Sequence, residues 1–211
     1  MKIGVIDYGA GNQKNIFRAI KALGEKPLLI QKYNDLKNTD HIIIPGMGSY
    51  SSAIKHLKKS GLFDGLKEAK LKEKKIFGIC LGLQILFESG EEGGEIKGLN
   101  FFRGKVSNMK KNKEFSPLSK FPVLGWYKQN WNLSKFDRSF AESIKNYPES
   151  PLYLAHSFEV LPKSKDIIVA EYNYFGKNIV SAIKKDNLSG TQFHPEKSGN
   201  FGLKILKGFL L

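Results

Sequence analysis

The sequence contains one cysteine, Cys80, so no internal disulfide can form. A lone thiol is either a small buried hydrophobe or a reactive group, and its neighbours decide between the two. Arginine is almost as scarce: Arg18, Arg103 and Arg138 are the only three in 211 residues. The net charge of +14 is therefore carried by lysine, which lacks the rigid fork that reads phosphates and bases in pairs. Lys55, Lys58, Lys59, Lys67, Lys70 and Lys72 fall on solvated helix faces. No nucleic-acid partner is expected, and a binding module built on the basic surface is the weaker, non-enzymatic alternative. No run of about 18 apolar residues is present, which argues against a membrane span. No Pro/Gly/Ser-rich linker divides the chain, and 41% apolar content suffices for one core, so residues 1–211 are expected to form a single domain. The opening Met1–Asp7 reads as a strand, with neither the apolar core nor the cleavage site of a secretory leader, and a cytoplasmic location is expected. No Cys/His ligand spacing occurs, so no metal and no cofactor is expected. Gly9-Ala10-Gly11 begins like a dinucleotide fingerprint, but its third glycine would fall at Lys14.

Periodicity divides the chain into two halves. In the first, short apolar runs (Ile3–Asp7, Leu28–Ile30, His41–Ile44, Ile76–Ile79) alternate with amphipathic stretches (Asn12–Leu23, Ser51–Lys59, Leu62–Leu71, Leu81–Glu88). That rhythm predicts a parallel sheet covered on both faces. The second half reads mostly as strands: Phe101–Ser107, Val123–Trp131, Tyr153–Val160, Ile167–Tyr172, Ile179–Ile183 and Ser189–Phe193. A short helix is expected at Asp137–Lys145 and a closing one at Gly202–Leu210. The expected fold is a three-layer α/β sandwich whose central, mostly parallel sheet is extended by antiparallel strands.

The chemistry concentrates in three segments. In Gly78-Ile79-Cys80-Leu81-Gly82 a strand runs straight into a helix with the cysteine at the corner, the pattern of a nucleophile elbow with sulfur in place of oxygen. So sharp a turn leaves no room for side chains at the flanking positions, which accounts for the glycines. It also places Cys80 at a helix N-terminus, where free N–H groups favour thiolate, and lets the Leu81 N–H face an oxyanion. A tight βα turn around a buried thiol is the plainer alternative. Among four histidines, His41 opens an apolar strand and His56 lies on a lysine-rich face; His156 fits either a core position or a pocket wall. His194 ends a strand and is followed by Pro195 and Glu196, so a carboxylate two residues on can orient the imidazole. Pro45-Gly46-Met47-Gly48-Ser49 closes another strand. It reads either as a loop offering N–H groups to an anion or as an ordinary turn.

Together, Pro45–Ser49, Gly78–Gln84 and Gln192–Glu196 resemble the class-I (triad) glutamine amidotransferases. The opening Ile6–Asn12 and the stretch His194–Gly199 look, within that family, like the glutaminase subunits of histidine biosynthesis, over essentially the whole chain. The resemblance implies a glutaminase with Cys80 as nucleophile, His194 as acid and base, and Glu196 as its orienter. It implies Gly48 and Leu81 as oxyanion donors, and Gly46, Gln84, Glu92, Tyr153 and Ser157 around the glutamine. Asn12, His156 and Lys197 would face a partner, a (β/α)8 cyclase subunit that forms a heterodimer with the glutaminase and receives its ammonia. One stretch departs from the family. Where Pro-His-Met-Gly-Trp-Asn is usual, this chain reads Pro122-Val123-Leu124-Gly125-Trp126-Tyr127. That departure leaves open a paralogous partner, a synthase that amidinates sugars for surface polysaccharides.

Overall fold

The computed structural model describes residues 1–9, 13–147 and 150–210. Its spine is an eight-stranded sheet. Five strands run parallel at its centre and one edge: β1 (Lys2–Ile6), β2 (Lys26–Ile30), β3 (His41–Ile44), β4 (Lys75–Ile79) and a late strand, Leu188–Thr191. Beyond the late strand the sheet continues antiparallel through Lys177–Lys185, Ile168–Tyr174 and the two-residue Asn130–Trp131. The expected parallel sheet with antiparallel extension is what forms.

The layers follow from side-chain alternation. Strand residues such as Ile3, Val5, Ile43, Phe77 and Ile79 face one core, and Ile6, Ile42, Ile44 and Ile76 face the other. The first face is covered by α1 (Gln13–Ala22), by Arg138–Lys145 and by the closing helix Gly199–Leu210, whose Phe209 stacks on Phe77 at 5.2 Å. The second is covered by α2 (Tyr50–Lys59) and α3 (Leu62–Leu71). Caps close these helices where the sequence supplies them: Ser49 Oγ accepts from Ser52 N at 3.3 Å, and Asp137 Oδ1 from Phe140 N at 2.9 Å.

Three expectations are corrected. The helix read over Leu81–Glu88 is a single turn, α4 (Leu81–Gln84), followed by strand β5 (Phe87–Gly90). Ile85, Leu86 and Phe87 are fully buried, and the backbone after α4 is taken up by Leu99, Asn100, Phe101 and Phe102, whose N–H groups donate to Ile85, Phe87 and Leu86 oxygens. A run apolar on every side carries no period, and sheet partners decided its conformation. Val123–Trp131 is two strands in two sheets: β8 (Val123–Tyr127), which pairs with Leu152–His156, and Asn130–Trp131 in the main sheet. Tyr153–Val160 likewise breaks at Ser157 into Leu152–His156 and Phe158–Pro162, the latter in a separate four-stranded sheet.

Candidate active site

Cys80 stands between β4 and α4 with φ +50° and ψ −108°, a conformation that side chains rarely adopt and that costs roughly 1–3 kcal/mol unless its surroundings enforce it. They do. Its N–H donates to Thr191 O at 2.6 Å, and its carbonyl accepts from Gln84 N at 3.1 Å. The two flanking glycines face each other so closely that a β-carbon on Gly78 would meet the Gly82 carbonyl carbon at 2.5 Å. The elbow thus forms for the steric reason read from the sequence.

His194 lies three residues beyond the late strand and is 2% exposed. Its backbone is pinned at both ends: the N–H donates to Tyr153 O at 2.8 Å, and the carbonyl accepts from Ser198 Oγ at 2.7 Å. Nδ1 meets Glu196 Oε1 at 2.8 Å, and the ring hydrogen-bonds the Cys80 side chain. Burial alone would push the imidazole down, but the charge on the Cys80 sulfur and the Glu196 carboxylate outweigh it and raise its pKa to about 10. The site therefore holds a proton on His194 beside the sulfur. Because α4 has only one turn, the sulfur is flanked by this imidazole and by a side-chain amide rather than by a long helix dipole.

That amide escaped the sequence reading. Gln192, fully buried, directs Nε2 at Cys80 Sγ, 3.4 Å away. Its orientation follows from a carbonyl that can only accept. Phe158 O receives Gln84 Nε2 at 3.3 Å, so Gln84 must also donate onward to Gln192 Oε1 at 3.1 Å, which leaves the Gln192 N–H for the sulfur. Gln192 lies two residues before His194, and only the closure of β4 against the late strand reveals its target. Gln192→Glu would present an oxygen to a negatively charged sulfur. Glutamine turnover should fall roughly 10- to 100-fold, the worth of a hydrogen bond to a charged group, as read by glutamate release from the folded variant.

The cleft over Cys80 has a volume of about 310 Å³, near the small end for ligand pockets. Of the residues named from sequence, Gly46, Gly48, Cys80, Leu81, Gln84, Glu92, His156, Ser157, His194 and Lys197 line it. Glu92 Oε2 accepts from Tyr50 N at 2.6 Å, which fixes one carboxylate oxygen at the start of α2. Tyr153 is not among the lining residues. Its ring packs on Trp126 at 4.9 Å and lies 6.2 Å from the His194 ring, with the Lys197 ammonium 5.7 Å from its centroid, so it stands beside the cleft against the imidazole. Asn12 lies outside the described residues.

His156, expected toward a partner, is buried in the wall instead. Nδ1 donates to Phe158 O at 2.8 Å, and Nε2 accepts from the Tyr172 hydroxyl at 2.9 Å. Burial, opposed by the Phe158 carbonyl and helped by the charge of His194, pushes its pKa down to about 4. Between about pH 4 and the ordinary histidine value near 6.5, the unfolded chain binds a proton that the folded chain refuses, so stability falls as the solution is acidified through that window. His194, whose pKa is raised, opposes this slope near neutrality, where the unfolded chain has given up a proton that the folded chain keeps. Unfolding free energy should be roughly 1 kcal/mol lower at pH 5 than at pH 7. Urea titrations at the two pH values check this, and His156→Asn should abolish the fall.

A protein-family model described as glutamine amidotransferase class-I matches residues 4–211. The chain is 40% identical over 207 residues to the imidazole glycerol phosphate synthase subunit HisH of Caldanaerobacter subterraneus, covering 98% of this chain and 96% of that one. It is 38% identical to the corresponding subunit HisH 1 of Campylobacter jejuni, covering 98% of each chain. Among solved structures, a glutamine amidotransferase superposes with a TM-score of 0.74 at 14% identity, over 99% of this chain and 96% of that one. The PurLQS structure from Thermotoga maritima gives 0.72 at 19% identity, over 99% and 97%. These two likenesses concern the fold. The elbow cysteine joined to His194 and Glu196 stands within the matched span, and the chain belongs to the class-I glutamine amidotransferase family.

Proposed function

We propose that this chain is the ammonia-producing subunit of an imidazole glycerol phosphate synthase, a single glutaminase domain working in the cytoplasm, where a reducing environment keeps Cys80 a thiol. The Cys80 sulfur attacks the side-chain amide carbon of glutamine. His194 gives its proton to the departing nitrogen, ammonia leaves, and a glutamyl thioester remains on sulfur. Water then gives a proton to His194 as its oxygen attacks the thioester, and glutamate departs with the thiolate restored. Glu196 keeps the imidazole in the required tautomer. The N–H groups of Gly48 and Leu81 receive the developing oxyanion, and Gly46, Gln84, Glu92 and Ser157 hold the substrate around it. The observation that carries this reading is the contact line from Cys80 through His194 to Glu196, 2.8 Å at its carboxylate end, at the base of the cleft.

Ammonia loses its nucleophilicity once protonated in water, so the product needs a docked acceptor, here a (β/α)8 cyclase. Leu124 and Trp126, each 62% exposed, project from β8 beside Tyr153 and suit such a contact. The departures at Val123 and Tyr127 fall on the opposite face of that strand. Val123 is fully buried, and Tyr127 packs on Tyr172 and Tyr174 at 5.5 and 5.9 Å. They change the interior, while the exposed pair keeps the usual Trp126 and exchanges methionine for another flexible apolar side chain at Leu124, which favours the histidine-pathway partner over a sugar-amidinating one. Glutamate release should be slow for the chain alone and strongly stimulated by the cyclase carrying its nucleotide ligand. Cysteine-dependent release that ignores the cyclase would assign the chain to another synthase.

A further inference from the structure

Glu91 has no place in the chemistry above, yet it stands next to Glu92, which lines the cleft. The parallel ladder between β5 and the strand Phe102–Asn108 runs to Gly90, opposite Val106, and the Glu91 N–H extends it by one bond, to Val106 O at 3.2 Å. There the backbone turns away through Gly93 and Gly94, both at positive φ. The Glu91 side chain continues along the strand that the backbone has left. Oε2 accepts from Asn108 N and from Ser107 Oγ, each at 3.1 Å, and Oε1 accepts from the Lys105 ammonium at 3.2 Å. Asn108 ends that strand opposite Phe158, and the next N–H, that of Met109, donates to Ser157 O at 3.0 Å. Ser157 also lines the cleft. One carboxylate therefore joins the turn that carries Glu92 to the strand end that holds Ser157.

We propose that Glu91 is a positioning residue whose carboxylate clasps these two walls together, fixing Glu92 and Ser157 at the spacing that the amino-acid end of glutamine requires. The proposal rests on the glutaminase reading, with Glu92 and Ser157 as substrate-holding residues. Glu92 is fastened to α2 on its other side, through Tyr50 N at 2.6 Å, so the clasp governs its place relative to Ser157. The Asn108 N–H, opposed by burial and helped by Lys105 and Ser107, holds the Glu91 carboxyl below its ordinary range, and the clasp is ionised at neutral pH. Neither arm of it touches Cys80 or His194. Its loss should weaken substrate binding and leave the chemistry at sulfur intact.

Glu91→Ala removes the carboxylate. With the barrel cyclase and its ligand present, the experiment measures kcat and KM for glutamine. It also measures how fast Cys80 is alkylated by two reagents: iodoacetamide, which needs only the sulfur, and a chloroketone analogue of glutamine, which must also seat its amino and carboxylate groups. The expected result is a KM raised about 10-fold and chloroketone alkylation slowed about 10-fold, the worth of a hydrogen bond to a charged group. Both kcat and iodoacetamide alkylation should stay within about twofold of the parent, as when binding is lost equally from ground and transition states. Should Glu91→Ala fail to fold, Glu91→Asp, which keeps the charge but falls one carbon short of Asn108, carries the same expectation. An unchanged KM overturns the clasp. Slower alkylation by both reagents also overturns it, since Glu91 would then support the site in general. If the parent protein shows no Cys80-dependent hydrolysis, the glutaminase reading itself fails and takes the clasp with it, a result distinct from every outcome in which the parent turns over.

Discussion

Cys80→Ala is expected to abolish glutamate release, a loss of roughly 10⁴-fold or more, as when the nucleophile of a triad that acts as a unit is removed. Alanine retains the β-carbon, so the corner between Ile79 and Leu81 has the same steric demands and the protein should still fold. What disappears is the only thiol in the chain and one of the two partners that raise the pKa of His194. His194→Asn should cost nearly as much, because no other group among the described residues is placed to protonate the leaving nitrogen. His156 is near, but burial holds it neutral and both of its ring nitrogens are engaged. Glu196→Gln should cost less, since it acts only through the imidazole at 2.8 Å. Steady-state rates for the three variants, with folding checked by denaturant titration, test this ranking; a Glu196 effect larger than that of Cys80 would contradict the assignment of roles.

The largest effect on stability is expected from Gly82→Ala. Its β-carbon would lie 1.9 Å from Ile44 O and 2.9 Å from Pro45 O. Both are backbone atoms of the neighbouring strand and loop, so no side-chain rotation relieves the clash and the elbow must separate from β3. The cost should be roughly 3 kcal/mol or more, at the upper end for overpacking, and would appear as a lowered urea midpoint. Activity in the remaining folded fraction should also fall, because the displaced atoms lead directly into Gly46 and Gly48. A variant with parental stability would mean that the strand and elbow are less tightly apposed than the structure describes.

The same residues show what sequence makes legible. Gly78, Cys80 and Gly82 announce their turn because the constraint is local and steric, and His194 announces its orienter because Glu196 is two residues away. The first half of the sheet was equally readable, since each strand and helix there has its own period. Val123–Trp131 and Tyr153–Val160 were misjoined because alternation looks the same whichever sheet a strand enters, and Leu81–Glu88 was read as one helix because a run apolar on every side carries no period. Partners distant in sequence decided where α4 stopped, where β8 turned away and where Ser157 interrupted pairing. The short Ile96–Lys97 strand and the 3-10 turn at Tyr33–Asn38 carry no period of their own and were not foreseen. Gln192 was hidden for a related reason. A buried amide has no pattern until the chain closes, and its role lies in which lone pair or proton remains after a backbone carbonyl has taken its share.

The central claim is covalent catalysis by Cys80, and the most direct test is to trap the intermediate. The protein, turning over glutamine with its cyclase partner, would be quenched in acid, digested and examined by mass spectrometry. The expected result is one glutamyl group on the peptide containing Cys80, absent from the Cys80→Ala variant and lost on mild base treatment, as a thioester would be. Turnover without any such adduct under conditions that trap thioesters, or an adduct on a different residue, would contradict the account.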